Sequence, residues 1–116
     1  MEKTASTTED KKNRRIPAKE TAIFCSQVAM LLKAGIPLHE GIASLGEGAD
    51  AGAGARFDKL IQILEESGSL YEAVRASDLF PAYMVNMVHI GEAVGHLDAV
   101  MESLGRYYER EDALRT

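Results

Sequence analysis

From residue 18 onward the apolar positions recur at helical spacing, and glycines and prolines divide the chain into six pieces. The first helix is expected from Lys19 to Lys33, where Phe24, Val28, Leu31 and Leu32 share a face. Gly35 closes it as a left-handed cap and Pro37 follows at the distance typical of a helix end. A short second helix carries Leu38, Ile42 and Leu45 along one stripe. The stretch Gly46 to Gly54 (GEGADAGAG) holds four glycines in nine residues and reads as a loop. A third helix from about Ala55 to Ser67 sets Phe57, Leu60, Ile61 and Leu64 on one side, with Asp58, Lys59, Gln62, Glu65 and Glu66 largely opposite. Gly68 ends it. Ser69 and Glu72 have the spacing of a capping box, so a fourth, short helix begins there and buries Leu70 and Val74. Phe80-Pro81 opens the fifth, whose apolar face is Met84, Met87 and Val88 and whose end is bracketed by Gly91 and Gly95. The sixth runs from about Leu97 to at least Leu114 and buries Leu97, Val100, Met101, Leu104 and Tyr108. No stretch alternates with period two for long enough to form a strand, so the expected fold is an all-α, compact six-helix bundle.

Residues 1–18 break this pattern. They are rich in Thr, Lys, Asp and Glu, with Ile16 the only large apolar residue after Met1, and read as a disordered lead to a bundle domain spanning 19–116. At 116 residues and 46% hydrophobic content the chain has the size of one globular domain, which excludes a multidomain enzyme. The longest apolar run, Val28 to Leu32, is five residues, against the roughly 20 that cross a bilayer as a helix. The start lacks the apolar core of a secretory signal, so the cytoplasm is the expected compartment.

Charge is uneven: residues 1–20 carry a net +2 and residues 21–116 a net −7. An acidic body is a poor match to phosphate backbones, and nucleic acid is set aside. Lys11, Lys12, Arg14 and Arg15 offer the lead a contact with anionic lipid, though short charged termini are more often simply solvated.

Candidate chemistry is sparse. His39, His89 and His96 lack the His-Glu-x-x-His spacing that sets two metal ligands on one helical face. A single cysteine, Cys25, excludes an internal disulfide and a thiolate metal cluster, and next to Phe24 it reads as a small buried hydrophobe. The loop glycines lack the Lys-Ser/Thr of a phosphate loop. Glu92, between Gly91 and Gly95, reads as a cap or hinge that satisfies N–H groups of the next helix. The alternative is a carboxylate cluster of Glu92 and Asp98, joined by Glu102, offering oxygens to a hard cation such as calcium, although calcium sites usually gather more oxygens. No other cofactor is suggested. The tail from Arg106 to Thr116 (RYYEREDALRT) is either a fraying helix end or the flank of a bilayer, where Tyr and Arg concentrate.

The residues Phe24-x-x-Gln27-Val28-Ala29-x-Leu31-Leu32-x-Ala34-Gly35-Ile36-Pro37-Leu38, then Gly68-Ser69-Leu70 with Ala73, Phe80-Pro81, Gly91-Glu92-x-x-Gly95-x-Leu97 and Tyr107-Tyr108-Glu109 resemble the cytoplasmic domain of the type II secretion F family. This is the inner-membrane platform protein of type II secretion systems and type IV pili. The resemblance covers about residues 20 to 115 in order. It implies a six-helix bundle at the cytoplasmic face of the bacterial inner membrane, repeated twice in the full protein, each copy followed by transmembrane sequence. The chain looks like the first copy, cut before its spanning helix. The family role is to couple the growing pilus or pseudopilus to a hexameric assembly ATPase, alongside other inner-membrane platform components. No catalysis is implied. Dimerisation through this domain is, and so is metal near the Gly-Glu turn in some members, a turn matched here by Glu92. The sequence departs from the family pattern in its glycine-rich stretch and at Val94, which makes the turn more apolar.

On this reading the turn residues Gly35, Pro37, Gly68, Phe80, Pro81, Gly91, Glu92 and Gly95 fix helix angles, and the acidic third-helix residues Asp58, Glu65 and Glu66 are the candidate docking face for the ATPase. The competing reading is a freestanding cytoplasmic helical adaptor, which an apolar span of about 20 residues after Thr116 would exclude.

Overall fold

The computed structural model describes residues 15–47 and 51–114. They form six helices: α1 (Ala18–Ala34), α2 (Leu38–Glu47), α3 (Ala51–Ser67), α4 (Leu70–Ser77), α5 (Ala82–Val94) and α6 (Leu97–Leu114). No strand occurs among the described residues. The all-α six-helix bundle expected from periodicity is what forms.

The longest helix pair is α1 against α6, which brings the two ends of the bundle together. The chain between them packs in sequence, α3 on α2 and α4, then α5 on α4 and α6. One core runs through all six. Phe24 of α1 stacks on Phe57 at 5.8 Å between ring centroids and meets Phe80 at 4.7 Å. Val28, Ile42, Leu60, Leu70, Val74, Met84, Val88, Met101 and Leu104 fill the space around these rings. Each such side chain contributes about 1.5–3 kcal/mol by leaving water.

Two boundaries differ from the sequence reading. The packed body begins at Ile16, not at residue 19: Ile16 is only 6% exposed, and its N–H donates to the Leu79 carbonyl at 2.9 Å. One large side chain in a polar stretch does not register in composition, yet it is enough to hold the chain against the core. Pro17 then starts α1, its carbonyl accepting from both the N–H (2.9 Å) and the hydroxyl (3.0 Å) of Thr21, which satisfies a polar side chain that is otherwise fully buried. The lead before Arg15 lies outside the described residues.

The second difference is the glycine-rich stretch. Gly46 belongs to α2, while Gly52 and Gly54 belong to α3, which starts at Ala51 rather than Ala55. Ala51, Ala53 and Ala55 are the strongest helix formers, and glycines between them cost about 1 kcal/mol each, which a helix packed along the rest of its length tolerates. Positions 48–50 lie outside the described residues.

Two neighbouring glycines near the end of α5 do different work. Gly95 takes φ 75° and caps α5, and its N–H and that of His96 turn back to the carbonyls of Glu92 (3.3 Å) and Gly91 (2.9 Å). Gly91 is needed for space: a Cβ there would sit 3.0 Å from Val100 Cγ2 and 3.3 Å from the Leu97 backbone, so its absence lets α5 lie against α6. Gly95→Val is expected to cost about 1–2 kcal/mol, because an L side chain is strained in left-handed backbone, and to lower the thermal midpoint by about 5 °C. An unchanged midpoint in a melting curve would refute the cap.

Candidate functional site

A fourth helix of eight residues is too short to persist alone, and its start determines how it is held. Four N–H groups at a helix start lack partners within the helix. Here all four find acceptors. Ser69 N–H donates to Ser67 Oγ at 3.1 Å, and Glu72 N–H donates to Ser69 Oγ at 3.1 Å. The remaining two, Leu70 and Tyr71, donate to Glu92 Oε2, the latter at 3.1 Å, while Glu92 Oε1 accepts from the Ser69 hydroxyl at 2.7 Å.

Glu92 is therefore a cap, but of α4 rather than of the helix that follows it. The expected capping box is half formed. Ser69 does its part, while the Glu72 carboxylate turns outward to Arg75 at 2.7 Å. Glu92, reaching across from α5, replaces it. A carboxylate at a helix N-terminus is favoured by the helix dipole as well as by hydrogen bonding.

Around this joint lies a cleft of about 680 Å³. Leu32, Leu38, Leu64, Leu70 and Leu97 wall it with side chains from five helices, and His39, Glu92 and Asp98 supply its polar groups. Gly68, Gly91 and Gly95 line it as well. Of the turn residues singled out from the sequence, these three and Glu92 thus converge on one place. Gly35 and Pro37 form the α1–α2 corner next to it: Gly35 takes φ 73°, and the Pro37 carbonyl accepts from Gly41 N–H at 3.0 Å. Phe80 is buried against Phe24, and Pro81 sits at the start of α5, so these two lie at the opposite end of that helix from Glu92.

The candidate cation ligands separate. Glu92 and Asp98 line the same cleft, but the Glu92 oxygens already hold three donors. Glu102 pairs with Lys33 of α1, which holds its carboxyl below the ordinary range. No group of three His, Cys, Asp or Glu side chains placed to hold a metal occurs among the described residues. The histidines are dispersed: His39 is in the cleft, His89 stacks on Tyr71 at 4.0 Å, and His96 is exposed at the α5–α6 corner. Cys25 is fully buried beside Met84, and burial pushes its thiol up to about 12. Asp58, Glu65 and Glu66 are all exposed on α3. What the sequence did not reveal is the pairing of Glu92 with residues 21 to 23 positions earlier; the only available signal was an acidic residue in a glycine-flanked turn.

The fold and this joint define an all-helical bundle module whose short helix α4 is held by side-chain capping, and no helix among the described residues is long and apolar enough to cross a membrane. The family model of the type II secretion system (T2SS), protein F, matches residues 24–116. The chain belongs to this family. It is 31% identical over 99 residues to a type II secretion system protein F of Pseudomonas aeruginosa, covering 84% of this chain and 24% of that protein. It is 32% identical over 109 residues to a type IV pilus assembly protein PilC of Thermus thermophilus, covering 87% of this chain and 27% of the relative. A type 4 fimbrial assembly protein PilC of Pseudomonas putida is 34% identical over 94 residues, 78% of this chain and 23% of its own. The chain thus spans about a quarter of the length of these relatives.

Replacing Glu92 by Ala is expected to cost about 2 kcal/mol, since it strips charged acceptors from two backbone donors and a hydroxyl. Glu72→Ala, which removes only an exposed ion pair, is expected to cost less than about 1 kcal/mol. Denaturant unfolding of both variants checks this; equal losses would mean that the cap does not hold α4.

Proposed function

We propose that this chain is a non-catalytic cytoplasmic domain of an inner-membrane platform protein, which couples a hexameric assembly ATPase to a growing pilus or pseudopilus. The observation that carries the reading is the family match over residues 24–116, supported by relatives named for type II secretion and for type IV pilus assembly. Membrane attachment comes through a segment outside this chain, and the other partners are inner-membrane platform components and pilin or pseudopilin machinery. The ATPase docks on the acidic face of α3, where Asp58, Glu65 and Glu66 are exposed.

Self-association is supported by α5. Tyr83, Met87, Ile90 and Val94 follow one another at spacings of four, three and four, the register of a helix–helix seam. Tyr83, Ile90 and Val94 are 48%, 53% and 61% exposed. The only charged residue of α5, Glu92, is spent on α4, so two copies meeting through this stripe bring no like charges together.

Titration of the 116-residue chain with the assembly ATPase of the same genome is expected to give saturable binding that weakens with salt. Glu65→Lys with Glu66→Lys should weaken it by about tenfold or more, the equivalent of about 1.4 kcal/mol. Absence of binding at low and moderate salt alike would sink the coupling role. Separately, Ile90→Lys is expected to shift the chain to monomer in sedimentation equilibrium without lowering its thermal midpoint. A wild-type chain that is already monomeric at high concentration would overturn the α5 pairing.

A further inference from the structure

At the end of α5 opposite Glu92, a cleft of about 580 Å³ opens where α1 and α5 begin and α6 nears its end. The hydrogen bond from Ile16 N–H to the Leu79 carbonyl holds the two helix starts side by side, with Pro17 and Pro81 at their N-cap positions. Neither proline has a side chain that can accept, and the N–H groups of Ala18, Lys19, Ala82 and Tyr83 find no acceptor among the described residues. No acidic residue stands in the first turn of α5, and Glu20 of α1 lines a different groove. This edge of the cleft therefore carries partial positive charge.

Three side chains show that the cleft is more than a pair of helix starts. Tyr108 lines it at only 5% exposure, and its hydroxyl, beside the Met84 backbone in the first turn of α5, is buried without a hydrogen-bond partner of ordinary geometry. Burial raises its pKa, so it keeps its proton and needs an acceptor. A buried donor left unpaired costs about 1–3 kcal/mol, which a bound oxyanion recovers. Arg15 and Glu111 line the same cleft, yet they pair neither with each other nor with another described residue. On the Glu111 side stand the rings of Tyr107, one turn earlier on α6, and Tyr83, 4.9 Å apart. Aromatic faces next to a carboxylate attract an ammonium group.

A simple anion meets Arg15 and the helix starts but is repelled by Glu111, and a simple cation meets the reverse. The occupant has to carry both signs. Four N–H groups, a guanidinium and a hydroxyl exceed the roughly four acceptor positions of a carboxylate, which favours phosphate as the negative end. We infer that the cleft binds a zwitterion of the phosphoethanolamine class, with its phosphate on the starts of α1 and α5 and on Arg15, and its ammonium between Glu111 and the tyrosine rings. Both a lipid headgroup and a free phosphodiester present this chemistry. The inference does not rest on the coupling role proposed above.

The test is an NMR titration of the isotopically labelled 116-residue chain with glycerophosphoethanolamine. Because Tyr83 also begins the α5 stripe, the chain is kept dilute enough to be monomeric by sedimentation. The expected result is saturable shifts at the amides of Ala18, Lys19, Ala82 and Tyr83, with glycerol phosphate binding more weakly. Glu111→Gln and Arg15→Gln replace exposed side chains and leave the fold intact. Glu111→Gln should weaken glycerophosphoethanolamine by about fivefold, the size of one partly exposed charge pair, without weakening glycerol phosphate, whereas Arg15→Gln weakens both. Dihexanoyl phosphatidylethanolamine, below its micelle concentration, separates the sources: binding tighter than the headgroup alone by about tenfold or more supports a lipid, and equal binding supports a free phosphodiester. Equal affinity of the wild-type chain for glycerol phosphate and glycerophosphoethanolamine, or equal weakening of both by Glu111→Gln, would overturn the zwitterion. Absence of saturable shifts with either compound would overturn the site itself.

Discussion

The bundle depends on one carboxylate placed where a backbone needs it. Helix α4 has eight residues and three buried side chains, Leu70, Ala73 and Val74, too few to hold a helix start whose donors face outward unpaired. Glu92 satisfies two of those donors and the hydroxyl that satisfies a third. Because Glu92 belongs to α5, capping and packing become one event: α4 is complete only when α5 lies beside it. The position of α5 is set in turn by Gly91, whose missing side chain admits α6, and by Gly95, which turns the chain. Three helices therefore share a joint only a few residues long, and an error at any of these positions is felt by all of them.

Much of this was legible in the chain, and the reasons for the exceptions are physical. Periodicity located every helix because each buries one face in a common core, and left-handed corners fell on Gly35, Gly68 and Gly95 because few other residues accept that backbone. Ser69 identified the start of α4 because its cap is local, three residues from its partner. The trans contribution of Glu92 was not legible, since nothing at position 92 states which helix start lies within reach. The fourth corner falls at Asp78, which takes φ 59° without being glycine; Asp is among the few other residues that accept left-handed backbone, a weaker signal than glycine. Ile16 and the glycines of α3 failed for the opposite reason. Local composition argued against structure there, and tertiary contact prevailed.

The described surface divides by chemistry. The α3 side is acidic and hydrated, the outward face of α5 is apolar and almost free of charge, and the cleft between them mixes both characters. In a chain with a net charge of −5 such segregation keeps the apolar stripe apart from the acidic residues that would otherwise flank it. Of the buried polar groups, Thr21 is matched by the Pro17 carbonyl and Cys25 by the sulfur of Met84, while the Tyr108 hydroxyl is buried without a hydrogen-bond partner of ordinary geometry.

The antiparallel pairing of α1 and α6 bears on how the domain carries load. Gly105 lies against Ser26, Lys33 pairs with Glu102, and Lys19 and Ala22 share a groove with Glu109 and Asp112. The start of the first helix is therefore beside the end of the last. Tension applied between those two ends would open their contacts one after another, as a zipper opens, and little force would be needed. Tension applied along the α1–α6 axis in opposite senses on the two helices would instead have to slide one whole helix face past the other, so the same pair is compliant when peeled and stiff when sheared.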